Sequence, residues 1–152
     1  MTDNAAAKPA KRKFSWNPLV PIEDEAHARL LAKESGVACL GLIAFGYVAL
    51  SFVVMIAGES PYAPGGDKTV TLIAHAVALA IAAGLGWQIW KKQPVWAVII
   101  TLVWICLETA AKVMMVIGGG SGAASFVLNA LGLVVGVQAV RGALWLSKQK
   151  KS

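Results

Sequence analysis

Long apolar segments separated by short polar ones form the dominant pattern along the chain. Four of these segments are close to the roughly 20 residues that an α-helix needs to cross a bilayer. They comprise residues 37–58, 70–90, 95–117 and 122–146. The stretches between them are rich in Gly, Pro, Ser and charged residues, which is typical of turns. The pattern therefore predicts an all-α fold, an integral membrane four-helix up-down bundle over residues 37–146.

Two basic tails and a juxtamembrane segment flank these spans. Residues 1–13 are rich in Ala and Lys and lack an apolar period, which predicts a disordered tail beside anionic lipid, and residues 147–152 form a second basic tail. Residues 14–36 follow the first tail, and the acids after Pro21 favour a short amphipathic helix over about 22–34, with a bend at Ser35–Gly36. We expect His27 to lie on the solvated surface of this helix.

Composition supports a membrane protein and changes the interpretation of the net charge. Hydrophobic residues make up 57% of the chain and charged residues 14%, where soluble domains average about 25% charged. A net charge of +6 would suggest nucleic acid in a soluble protein. Here the basic residues lie at the ends of the spans, so we expect a lipid bilayer as partner and no nucleic acid.

The distribution of Lys and Arg predicts the orientation. Six basic residues precede the first span, two lie between the second and third spans and four lie at the C-terminal end, whereas the first loop has only Lys68 and the third loop has none. By the positive-inside rule, both termini are expected in the cytoplasm of a bacterial-type inner (plasma) membrane. Tryptophans are expected to anchor the cytoplasmic interface, and they are Trp16, Trp87, Trp90, Trp96 and Trp145.

Small residues recur every four positions on two of the spans. Such ridges let helix backbones approach closely in lipid, within one bundle or between protomers. The second span carries the ridge Ala74, Ala78, Ala82 and Gly86. The fourth span carries Gly132 and Gly136. We expect both ridges to be helix-packing faces, and they are compatible with a homo-oligomer or a larger membrane complex.

Glu108 and Lys112 place two charges inside the third span. A charge at the bilayer centre costs between roughly 2.5 and 17 kcal/mol, so an intramembrane Glu indicates a functional site by default. The two residues are four apart, with the acid first, and are able to pair on one helix face. Counting about 1.5 Å per residue from the outer span ends places other polar residues at a similar depth, roughly 8–14 Å below the surface. They are Ser51, His75 and Asn129.

This polar layer has two interpretations. It is either a protonatable site, in which Glu108 and His75 exchange protons, or a fixed Glu108–Lys112 pair that sets the register of the helices. Thr101 and Trp104 continue the Glu108 face toward the cytoplasm, where the indole would narrow any path.

Catalytic and metal-binding motifs are absent from the sequence, so we expect no enzyme, cofactor or metal site. Cys39 and Cys106 lie in apolar runs and are interpreted as small core residues. The sequence favours a non-enzymatic membrane subunit or accessory and assembly protein. The alternative is a small proton- or cation-coupled transporter or channel that uses the polar layer.

Overall fold

The computed structural model describes residues 17–58, 67–117 and 123–150, and these are helical apart from short connections. Helix α1 (Glu25–Leu30) continues through a π-helical turn (Leu31–Ser35) into α2 (Gly36–Ala57). Then follow α3 (Lys68–Lys92), α4 (Val95–Ile117) and α5 (Ala123–Gln149). The predicted all-α four-helix bundle is thus confirmed.

Local chemistry ends the helices where the sequence predicts turns. Gly58 closes α2 in the left-handed conformation, at φ +76°, which Gly adopts without a Cβ penalty. Asp67 caps α3 by accepting from the Thr69 N–H at 2.7 Å. Gln93 ends α3 at φ 48°, and Pro94, which lacks an N–H, separates α3 from α4. The spans therefore reverse direction over short distances.

The four long helices are apolar enough to cross a membrane. At 22 to 27 residues each they are about 33–40 Å long, against a hydrocarbon core of about 30 Å. Their outward faces carry large exposed apolar side chains, including Ile56 at 86% and Ile117 at 81% exposure. A soluble monomer rarely exposes so much contiguous apolar surface, so these faces suit lipid.

Helix α2 lies between two of the other long helices. It packs on α3 and on α5, and α4 packs mainly on α5, whereas α3 and α4 touch each other far less. We call the end at which α2 and α4 begin the basic end, because Lys91, Lys92 and Lys148 lie there, and we call the other the opposite end. The core between them includes Cys39, Ile43, Leu85, Val98 and Ile105.

Glycines on α5 allow very close helix contacts. A Cβ on Gly142 would lie 2.5 Å from the Ala28 carbonyl oxygen and 2.7 Å from the Ala32 backbone nitrogen. A Cβ on Gly136 would lie 3.0 Å from Leu102 on α4. The absence of these side chains thus lets α1 and the π turn lie directly on the α5 backbone.

Polar side chains of α5 fix the chain that precedes α1. Arg141 donates to the carbonyl of Pro18 and, at 3.0 Å, to that of Val20. Gln138, which is buried, donates to the Asn17 carbonyl at 3.2 Å. We call these three hydrogen bonds the α5 clamp. They hold the juxtamembrane segment directly against α5.

Two expectations about single residues are wrong. His27 is only 8% exposed, because the docking of α1 on α5 covers the face on which it lies. Cys106 is exposed on the outer surface of α4, whereas Cys39 is buried as predicted. The helix also runs without a break through Ser35 and Gly36, which both have right-handed helical dihedrals. The tail of residues 1–13 and Trp16 lie outside the described residues.

Candidate functional site

Polar side chains from α2, α3 and α4 meet around Glu108, and we call Tyr47, Ser51, His75, Trp104 and Glu108 the Glu108 cluster. The Tyr47 hydroxyl donates to Glu108 Oε1. The Trp104 indole N–H donates to the same oxygen at 3.4 Å, one helical turn away. Both donors are neutral, so the carboxylate is held by dipoles and not by a cation.

His75 completes this cluster from α3 and is 2% exposed. Ser51 Oγ lies 2.9 Å from His75 Nδ1 and also donates to the Tyr47 carbonyl at 2.8 Å. Because a serine hydroxyl has one proton, the Nδ1 of His75 must supply the proton of the first contact. The Tyr47 ring meets the His75 ring edge-on, with centroids 5.2 Å apart. Tyr47 therefore contacts both titratable groups of the cluster.

A second group, the Lys112 cluster, lies between α4 and α5 and comprises Thr109, Lys112 and Asn129. Lys112 Nζ donates to Asn129 Oδ1 at 2.7 Å. Asn129 Nδ2 donates to the Thr109 hydroxyl at 3.2 Å, and that hydroxyl donates to the Ile105 carbonyl at 2.6 Å. Asn129 is 3% exposed, so its amide is satisfied on both sides by this chain of bonds.

The two intramembrane charges thus have different partners. Within the described residues, Glu108 accepts from Tyr47 and Trp104, and Lys112 donates to Asn129, with no ion pair between the two charges. Glu108 faces α2 and α3, whereas Lys112 faces α5. The spacing of four residues brings the charges near each other along α4 without joining them.

The structure divides the predicted polar layer into two parts. Ser51, His75 and Glu108 come together on one side of α4, and Lys112 and Asn129 come together on the other. Tyr47 and Thr109 are two further site residues that the sequence pattern does not indicate. Tyr47 lies one turn before Ser51 on α2, a spacing that places both on one face. The position of Thr109 beside Glu108 gives no comparable signal.

The small-residue ridges lie at different depths in the bundle. On α3, Ala82 is buried and a Cβ on Gly86 would lie 3.7 Å from Leu40, whereas Ala78 is half-buried and Ala74 is exposed. On α5, Cβ atoms on Gly132 and Gly136 would each lie 3.0 Å from an α4 side chain. The α5 glycines therefore face α4, and the α3 ridge turns outward toward the opposite end.

The predicted interface tryptophans of the spans lie toward the basic end. Trp87, Trp90 and Trp96 are exposed and Trp145 is half-buried. The Lys33 ammonium lies 3.6 Å from the centroid of the Trp90 ring, and that of Lys91 lies 4.9 Å from the Trp87 ring. Cation–π contacts of this kind are compatible with an interfacial position for these rings.

Apolar packing separates the Glu108 cluster from the basic end. The buried side chains below it include Ile43, Leu85 and Val98. Thr101 is also buried there, but its hydroxyl donates to the Ala97 carbonyl of its own helix at 2.9 Å. The polar groups of the described interior consequently form no continuous path along the bundle.

Within the described residues, no three His, Cys, Asp or Glu side chains are placed to hold a metal ion. No family model, curated protein or solved structure matches the chain. The chemistry that the site offers is therefore that of its own side chains: a carboxylate, an imidazole, an ammonium and the hydroxyl and amide groups that bind them.

Proposed function

We propose that the protein is a small, non-enzymatic, proton-coupled membrane transporter in which Glu108 is the proton site. The observation that carries this proposal is that Lys112 binds Asn129, so that within the described residues Glu108 has no cation as a hydrogen-bonding partner. A carboxylate held by neutral donors is able to gain and lose a proton without breaking a salt bridge. A carboxylate locked to an ammonium would instead stay ionised and serve as a structural pair.

His75 supplies a second group for proton transfer. An imidazole titrates in the physiological range more readily than any other side chain. Its contacts with Ser51 and the Tyr47 ring place it beside the group that donates to Glu108. Chains of hydroxyl, imidazole and carboxyl groups of this kind serve as proton relays in membrane proteins.

In this proposal the Glu108 cluster is accessible from one side of the membrane at a time. The apolar packing below the cluster argues against an open channel through one copy of the bundle. Helices α3 and α4 make few contacts with each other, so we expect the bundle to separate there. Because His75 lies on α3 and Glu108 on α4, this separation would open the site. We propose that the protein works as a homo-oligomer, in which a neighbouring copy helps to enclose the path.

The positive-inside rule supports an orientation with both termini in the cytoplasm of an inner (plasma) membrane. The Glu108 cluster then lies in the outer half of the bilayer. Protons would enter the cluster from the outer face and leave it toward the cytoplasm when the helices rearrange.

Infrared difference spectroscopy of the reconstituted protein tests the proton site. The expected result is a carboxyl band that responds to pH over the range measured and that is lost in Glu108→Gln, which cannot ionise. Proteoliposomes with an acid-inside gradient should show proton flux in the wild type, and Glu108→Gln should abolish it.

Glu34→Gln is the matched control, since Glu34 is an exposed carboxylate in the π-helical turn. Its infrared difference and its flux should equal those of the wild type. A Glu108 carboxylate that stays ionised over the whole range, together with flux unchanged in Glu108→Gln, contradicts the proposal.

A membrane accessory or assembly subunit is the second candidate. It is favoured by the exposure of Ala74 together with the apolar packing below the cluster, because an outward small residue suits contact with another helix. Cross-linking of Ala74→Cys in native membranes distinguishes the two candidates. Adducts with a different protein favour a subunit, whereas adducts of this chain with itself favour the oligomeric transporter.

A further inference from the structure

Glu108 keeps one carboxylate oxygen available for a ligand. Both hydrogen bonds that the structure shows for this side chain end at Oε1, and within the described residues Oε2 accepts none. Glu108 as a whole is half-buried, so the residue is not closed off by the bundle core. The rings of Tyr47 and Trp104, with centroids 6.1 Å apart, lie beside it. An oxygen next to aromatic rings suits an ammonium group.

Lys112 likewise keeps hydrogen-bonding capacity. Its ammonium has three N–H groups, and the structure shows one donor contact, to Asn129 Oδ1. Lys112 is half-buried, and the Asn129 amide that orients it is itself fixed by Thr109. Two N–H groups are thus left for an anion, such as a carboxylate, and their position is set by the Lys112 cluster.

The spacing of Glu108 and Lys112 suits a small zwitterion. Side chains four apart on a helix have Cβ atoms about 5–6 Å apart, and here the two side chains bind partners on different helices. In an α-amino acid the ammonium nitrogen and a carboxylate oxygen are about 3 Å apart. With two hydrogen bonds of about 2.8 Å, such a ligand would bridge head groups about 8–9 Å apart, a separation that diverging side chains at this spacing are able to adopt.

Charge balance distinguishes a zwitterion from simpler ligands. A cation would neutralise Glu108 and leave Lys112 without a counter-charge, and an anion would do the reverse. A buried charge without a partner is strongly destabilising, whereas a zwitterion satisfies both groups at once.

We infer that Glu108 Oε2 and Lys112 Nζ together bind a ligand that carries a primary ammonium group and an anionic group a few ångströms apart. This inference rests on the proposed transport function and names its substrate class. Two sources share that chemistry: a free amino acid, and the headgroup of an ethanolamine phospholipid. A quaternary ammonium lacks the N–H that Oε2 needs, so choline headgroups are excluded from the site.

Isothermal titration of the full chain in phosphatidylglycerol nanodiscs tests this inference, with glycine, alanine and leucine as probes. At least one amino acid should bind, and methylammonium or acetate alone should bind at least tenfold more weakly. Glu108→Gln and Lys112→Gln should each weaken amino-acid binding at least tenfold. Lys68→Gln is the control, because Lys68 lies at the same end and, among the described residues, donates to the Met55 carbonyl at 3.3 Å rather than to either cluster.

A second arm separates the two sources. If the ligand is a lipid, nanodiscs containing phosphatidylethanolamine should raise the melting temperature of the wild type and of Lys68→Gln but not of Glu108→Gln or Lys112→Gln. Helical circular dichroism of each variant shows that it is folded.

The absence of a response to both the amino acids and the lipid overturns the inference, as do equal responses in the wild type and the two site variants. The proposed function is judged separately, since the Glu108 infrared band is measured without any of these ligands.

Discussion

The two ends of the bundle are built from different interactions. Toward the basic end, backbones touch: Gly142 lies against the α1 backbone, and Arg141 binds main-chain carbonyls. Toward the opposite end, side chains from neighbouring helices meet through hydrogen bonds, as in the Glu108 and Lys112 clusters. The difference indicates that contacts at the basic end supply most of the stability of the fold. The opposite end is therefore able to contain charged side chains that a compact core would exclude.

The interactions at the two ends also differ in how much they contribute to the free energy of unfolding. Overfilling a close-packed contact costs about 1–3 kcal/mol, because neither backbone is able to move aside alone. Hydrogen bonds between membrane helices contribute about 0.6 kcal/mol on average. Substitutions at the basic end should therefore change stability, and substitutions at the opposite end should change function with little loss of stability.

The largest expected effect on stability is that of Gly142→Ala. The added methyl group would meet the Ala28 carbonyl oxygen and the Ala32 nitrogen, so α1 must leave α5. We expect a loss of about 2–3 kcal/mol in the free energy of unfolding, measured by denaturant titration in detergent.

Gly84→Ala is its control, because a Cβ there meets no atom within 4 Å. This variant should be as stable as the wild type or slightly more so, since Ala favours a helix over Gly. Equal losses in both variants would show that the contact at Gly142 has no special role.

Removing the α5 clamp should have the next largest effect. In Arg141→Ala the carbonyls of Pro18 and Val20 lose their donor, and we expect a loss of about 1.5–3 kcal/mol, as for hydrogen bonds to charged groups. Hydrogen exchange at the Val20 amide should accelerate. Arg29→Ala, which removes an exposed ion pair with Glu25, should cost only about 0.5 kcal/mol and leave that exchange unchanged.

Tyr47→Phe should have a smaller effect on stability and a clear effect on the site. It removes the hydroxyl that donates to Glu108 and keeps the ring that contacts His75. We expect a loss of about 0.5–1.5 kcal/mol in stability and a shift in the pH at which the Glu108 infrared band changes. Thr101→Val removes a hydroxyl that binds only its own helix, and the band should then stay at the wild-type position.

The smallest effect should be the coupling between Lys112 and Asn129. A double-mutant cycle with Lys112→Met and Asn129→Leu should give about 0.6 kcal/mol, the average for polar contacts between membrane helices. A cycle between Glu108→Gln and Lys112→Met should give less, because the structure joins these residues to different partners. A larger coupling in the second cycle would indicate a direct ion pair in the membrane.

Helix boundaries could be predicted from the sequence because their causes are local. The third span was predicted at residues 95–117, which are the bounds of α4, and Pro94 explains its start. The other spans differ from the structure by a few residues at each end, within the scatter that fraying of helix ends produces. Length and turn chemistry determine these positions without information from other helices.

The sequence predicts a common depth for several polar residues, but it does not reveal which neighbouring helix each of them contacts. A rise of about 1.5 Å per residue places Glu108 in a layer with Ser51, His75 and Asn129, and Lys112 nearer the outer edge. Which neighbour each faces depends on where α2 and α5 lie, and a single helix contains no such information. For the same reason Tyr47 was missed, because a tyrosine in an apolar span gives no sign of the carboxylate that it meets.

The burial of His27 shows most clearly which features the sequence pattern does not reveal. Its charged neighbours in sequence, Glu25 and Arg29, indicate a solvated position, and both are exposed. The opposite face of α1 is covered only because Gly142, more than a hundred residues later, lets α5 come close. The cause of the burial lies in another helix, so no local pattern could reveal it.

The π-helical turn at Leu31–Ser35 also sets the rotational phase of α1. Each residue turns an α-helix by about 100°, and a π turn accommodates one residue more than the α-helical repeat without shifting the helix that follows. Because the helix is continuous from Glu25 to Ala57, winding the same residues as a regular α-helix would rotate α1 by about that angle relative to α2. The face that carries Ala28 would then point away from Gly142. The π-helical turn therefore aligns the juxtamembrane helix α1 with the surface of α5 on which it packs.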